Sequence, residues 1–118
     1  MQDLLRLPAR AASGAVHVVI ESPKGSRVKL KWDPALGAIT LSRPLPSGLS
    51  YPYDWGFVPG TLADDGDPLD ALVYWDAGSY PGVVLACRPV GVVNGSRAIS
   101  SRFDLSNCSR MTLMGCSY

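Results

Sequence analysis

The run Asp64-Asp65-Gly66-Asp67-Pro68-Leu69-Asp70 holds four of the chain's ten acidic residues. Carboxylates this close repel one another, and each prefers its full hydration shell. Set between an aromatic-rich stretch (51–60) and an apolar run (71–75), they call for a cation. An oxygen-only donor set suits Mg²⁺, which is held by a few carboxylates together with water and substrate phosphate. Gly66 permits a tight backbone path, Pro68 fixes the turn and Asp70 enters the next strand. The loop can thus aim Asp65, Asp67 and Asp70 at one small volume. It is not an EF-hand: counted from Asp65, the sixth position is Asp70 rather than glycine. The same residues also describe a solvated acidic turn.

Positive charge lies elsewhere. Residues 27–33, Arg-Val-Lys-Leu-Lys-Trp-Asp, alternate cleanly, with Val28, Leu30 and Trp32 on one face and Lys29 and Lys31 on the other. A Pro–Gly turn at 33–37 leads into a second strand over 38–43, a hairpin whose arms carry Lys29 and Arg43. Both could reach one pocket, where Arg would bind phosphate oxygens bidentately and Lys would act as a point charge. Alternating lysines are equally the pattern of a solvated strand face. Tyr51, Tyr53 and Trp55, spaced by two in an extended segment, share a face and point their polar tips the same way.

The elements that must position these groups are short. Twelve glycines and ten prolines punctuate the apolar runs, which favours strands over long helices. Strands are expected at 16–20, 27–33, 38–43, 71–75 and 83–93, the last bent near Pro89 and Gly91. Five or so strands suggest a mainly β fold, a small OB-like barrel, closed or partly open. Residues 94–118 are rich in Ser and Arg and weakly periodic, and no element is assigned to them. The expected organisation is a barrel domain over 1–93 and a divergent tail over 94–118.

Composition narrows the classes. A chain of 118 residues with 47% hydrophobic residues is one globular domain. Net charge of +1 offers no global field for nucleic acid or an anionic membrane. Cys87, Cys108 and Cys116 form no C-x-x-C pair, and with the single His17 they give no zinc spacing. The N-terminal residues lack an uninterrupted apolar h-region, and no segment reaches the about 18 apolar residues needed to span a bilayer. A cytoplasmic protein with no membrane or nucleic-acid partner is the expectation.

Glu21 after the Val-Val-Ile run, Lys29, Arg43, Tyr51-Pro52, Trp55-Gly56, the run Asp65 to Asp70, and Cys87-Arg88-Pro89-Val90-Gly91-Val92 together resemble the soluble (family I) inorganic pyrophosphatases. The D-x-D-P-x-D signature is specific, and the match in order spans roughly residues 14–93. The resemblance implies an OB-type barrel, Mg²⁺-dependent hydrolysis of pyrophosphate to two phosphates, and a cytoplasmic homo-oligomer. It implies Asp65 and Asp70 as metal ligands and Asp67 as a third acid at the metal, the one that activates the attacking water. Lys29, Arg43 and Trp55 match substrate-binding positions, Tyr51 an active-site tyrosine and Glu21 a supporting acid.

The departures are equally specific. Lys31 stands where the family usually has a glutamate, and Trp55 where a phosphate-binding tyrosine usually sits. An indole N–H donates but cannot accept. The family's second acidic cluster with its lysine, its Tyr-Lys pair and its terminal helix have no counterpart after Val93; Asp104 lacks the expected D-x-K setting. The chain therefore reads as C-terminally truncated or divergent. The barrel is expected to lack a closing strand and a covering helix, leaving an unpaired edge and exposed apolar surface.

Overall fold

The computed structural model describes residues 3–63, 65–94 and 110–116. Within them run seven strands: β1 (Val16–Ser22), β2 (Val28–Asp33), β3 (Ala38–Pro44), β4 (Asp54–Val58), β5 (Leu69–Tyr74), β6 (Val84–Asn94) and β7 (Arg110–Cys116). The only helical piece among the described residues is a 3-10 turn at Leu4–Arg6, so no described helix is long and apolar enough to cross a membrane. Strands β1, β4, β5, β7 and β6 close in that order into a barrel, while β2 and β3 form a separate two-stranded sheet. Barrel neighbours are antiparallel except β5 and β7, which are parallel. The mainly β, OB-like closed barrel expected from the strand pattern is the architecture observed.

The β-branched run of β1 is continuous because the strand is covered on both faces. Val16, Val18 and Ile20 point into the barrel core with Val58, Ala71, Val73, Leu85, Cys87 and Met114. Val19 points outwards, against Trp32 and Phe57, with Leu4, Leu5, Leu7 and Ile39 packed around them. The β2–β3 hairpin thus lies over the outside of β1, and Trp32 is its buried anchor at 7% exposure. Close approach between β1 and β4 explains Gly56: a Cβ there would overlap the carbonyl of Val19.

Two expectations change. Asp54–Val58 is a barrel strand, whereas the aromatic-rich stretch around it had suggested only an extended segment. The chain bends at Pro52 and Tyr53 before β4 begins. The lost closing strand is also corrected. β7, drawn from the stretch that carries no sequence signal, pairs with β5 on one side and β6 on the other, so the expected open edge is filled. Apolar surface remains, with Tyr74, Val84, Val90 and Val92 exposed. The bend foreseen in the long strand is a register shift between Pro89 and Gly91.

Candidate active site

Among the described residues the hairpin makes no main-chain ladder with the barrel; side chains from the end of β1 hold it. Glu21 Oε2 accepts from the Trp32 amide at 2.7 Å. The Ser22 hydroxyl accepts from the Leu30 amide at 2.9 Å and donates to the Leu30 carbonyl at 3.1 Å. Both sit where β1 shifts register against β4, between Ile20 and Ser22. The amides of Leu30 and Trp32 therefore find partners on the edge of β2 away from β3, where no barrel strand pairs with it, as buried main-chain groups require. Alternation then turns Lys29 and Lys31 to a common face. Lys29 stands directly opposite Arg43 on β3, so the pair expected from the two arms is a cross-strand neighbour pair.

Across from the hairpin lies the loop between β4 and β5. The Thr61 hydroxyl donates to Val58 O at 2.6 Å and accepts from the Leu69 amide at 3.0 Å, joining its two ends. Gly66 turns through φ +87°, a conformation that side chains other than glycine rarely adopt. The Asp67 amide donates to Asp65 Oδ1 at 2.9 Å. Asp65 and Asp67 are exposed, and Asp70, already within β5, is half-buried.

Between hairpin and loop is a cleft of about 410 Å³. Lys29, Lys31 and Arg43 form one wall; Asp65, Asp67 and Asp70 form the other. Glu21 and Ser22 lie at its base, and Tyr51 and Trp55 close a third side with rings 6.2 Å apart and tilted by 60°. All eight residues singled out from the sequence line this one cleft. Tyr53 does not: its ring lies 5.3 Å from that of Tyr74, tilted by 59°, so the three aromatics do not share a single outlook.

Burial pushes the Glu21 carboxyl up to about 7, the Trp32 amide opposes that shift, and the nearby Asp70 charge adds to it while Lys31 and Lys29 counter it. The tight convergence expected of the aspartates is not found. Among the described residues, no three His, Cys, Asp or Glu side chains are grouped closely enough to hold a metal. One Asp65 oxygen accepts from its own loop backbone.

Two residues matter here that sequence reasoning passed over. Ser22 is 1% exposed, and its only sequence signal is its place after Glu21 at a strand end. Asp54, also 1% exposed, accepts from the Lys24 amide at 2.8 Å and from Trp75 Nε1 at 2.6 Å, tying the turn after β1 to the end of β5. Its signal was an acid inside an aromatic run. His17, set aside as a ligand, donates from Nδ1 to Pro8 O at 2.6 Å and serves the N-terminal segment.

The inorganic pyrophosphatase family model matches residues 18–96. The inorganic pyrophosphatase of Synechocystis sp. is 47% identical over 91 residues, 77% of this chain and 54% of that protein. That of Thermus thermophilus is 51% identical over 94 residues, 79% of this chain and 54% of that protein. The crystal structure of inorganic pyrophosphatase from Thermus thermophilus is similar with a TM-score of 0.81 and 40% identity, covering 98% of this chain and 63% of that one. The chain spans about half the length of the curated relatives it matches. Strand β7 lies beyond the residues that the family model matches.

Proposed function

The chain belongs to the inorganic pyrophosphatase family, and on that premise we propose that its cleft binds pyrophosphate and hydrolyses it to two phosphates with Mg²⁺. The observation that carries this reading is the placing of a basic and an acidic wall across one cleft of about 410 Å³. The donor set fits the ion: every candidate ligand is a carboxylate oxygen. Asp65, Asp70 and Asp67 would hold it. No closed carboxylate cage is needed, because Mg²⁺ keeps waters and completes its shell with substrate phosphate.

An ion held there by Asp65, Asp67 and Asp70 would supply Lewis-acid charge and make water a stronger acid near neutral pH. Asp67, exposed at the loop tip, takes the proton from the attacking water as general base. Arg43 clamps phosphoryl oxygens through its planar fork, and Lys29 beside it offsets charge growing on the leaving phosphate. Tyr51 and Trp55 orient the substrate on the third side, Trp55 through a donor-only indole. Glu21 supports from below by fixing the lysine-bearing strand. Lys31 adds a cation to the phosphate side of the cleft. We place the protein in the cytoplasm as a homo-oligomer with no membrane or nucleic-acid partner.

Phosphate release from pyrophosphate, followed with and without Mg²⁺, tests the reading. Turnover is expected only with the ion and falls by about 10²–10⁴-fold in Asp67→Asn. Turnover that needs no metal, or that stays near the parent rate in Asp67→Asn, overturns the mechanism. Pyrophosphate binding without turnover would instead assign the chain to a phosphate- and metal-binding role.

A further inference from the structure

Cys87 on β6 is fully buried and takes no part in the cleft. Its partner directly across the antiparallel ladder is Cys116 on β7. Opposed antiparallel residues stand about 4.5 or 5.5 Å apart at Cα, depending on the pair type. Both separations fall within the roughly 4.4–6.8 Å that a disulfide spans. The side chains also share a face: Cys87 belongs to the barrel core, and Cys116 packs against that same core. The two groups sense one another, since burial and then the Cys116 charge push the Cys87 thiol up to about 12. Both are free thiols.

We propose that Cys87 and Cys116 are a cross-strand disulfide site that clasps β7 to β6, formed by a low-molecular-weight disulfide such as oxidised glutathione. Cys116, half-buried and the more accessible, loses its proton and its sulfur attacks the oxidant. One S–S bond breaks, a mixed disulfide forms and one small thiolate leaves. Cys87, deprotonated in turn, attacks the Cys116 sulfur and expels the second small thiolate. Two thiols become one disulfide with loss of two protons and two electrons, and the oxidant gains both as two thiols. Burial holds both thiols above their ordinary pKa, so the reaction is slow and speeds up as pH rises.

The location gives the bond its consequence. β7 alone links β5 to β6 and so closes the barrel, yet it lies outside the family match. A clasp at Cys116 fixes the last residue of that strand and closes a loop across the chain between it and Cys87.

The full chain, incubated in oxidised glutathione at mildly alkaline pH, is digested and mapped by mass spectrometry without reduction, and its thermal midpoint is recorded before and after. The expected result is a Cys87–Cys116 peptide and a midpoint raised by on the order of 10 °C, reversed by dithiothreitol. Cys116→Ser, a change at a half-buried site, keeps the reduced midpoint and loses the oxidative rise. Mapping that finds only glutathione adducts or bonds to Cys108, or a midpoint that does not rise, overturns the assignment.

Discussion

The two charged walls of the cleft are built by different means. The basic wall is a hairpin whose Lys29 and Arg43 are paired across the strands and whose free edge is fastened by Glu21 and Ser22. The acidic wall is mostly a loop: Asp65 and Asp67 are exposed, and their hydrogen bonds serve the turn itself. Only Asp70 stands on a strand. On the proposed function, the difference points to a preorganised phosphate-binding side and an acidic side that closes when cation and substrate arrive together. Preorganisation lowers the cost of binding, whereas a loop assembled on demand makes metal affinity depend on the phosphate.

The comparison is broken most severely at the acidic wall. Asp67→Asn removes the proposed proton acceptor and should lower kcat by about 10²–10⁴-fold. Because Asp67 is exposed, unfolding by urea should shift by no more than about 0.5 kcal/mol. The basic wall should answer with stability as well as activity. Glu21 has a folded pKa near 7 against 4.5 for the free group, so the folded state binds the extra proton between these values. Its favourable contribution is therefore full below 4.5 and is lost as pH rises through about 7. In metal-free buffer near pH 8, Glu21→Gln should be more stable than the parent by up to about 3 kcal/mol, and the gap should vanish near pH 4. Urea titrations across that range give the sign directly.

Ser22→Ala leaves the Leu30 amide and carbonyl without their partner. We expect a loss of about 1–3 kcal/mol in stability, with faster hydrogen exchange at the Leu30 amide and weaker pyrophosphate binding. The smallest effect is at Lys31, which is exposed. Lys31→Gln should weaken pyrophosphate binding only a few-fold at low salt, and the difference should shrink as salt screens it. If Ser22→Ala left binding unchanged while Lys31→Gln abolished it, the preorganised wall would have been misidentified.

How much of this was legible follows from the kind of interaction involved. The hairpin was readable because alternation and a Pro–Gly turn are local, and Lys29 opposite Arg43 follows from them. The acidic loop was readable because Asp, Gly and Pro each restrict the chain where they stand. β4 was obscured: its sequence, Asp-Trp-Gly-Phe-Val, has a buried acid and a glycine whose reason is the Val19 carbonyl on another strand. The Ser22 fastening joins residues eight apart through a side chain and an amide, which no residue type announces. β7 was invisible for a related reason. Its place depends on two neighbouring strands rather than on a strong pattern of its own, and its parallel pairing with β5 is non-local. The family's residues up to Val93 were recognisable; the closing of the barrel past that point was not.

On the proposed function the basic wall stands ready, and cation and phosphate complete the acidic one. Calorimetric titration of Mg²⁺ into the protein, with and without saturating imidodiphosphate, tests it most directly. Weak binding of the ion alone is expected, and at least roughly tenfold tighter binding with the diphosphate present, a coupling of about 1.4 kcal/mol or more. Equal Mg²⁺ affinity in the two titrations would contradict it.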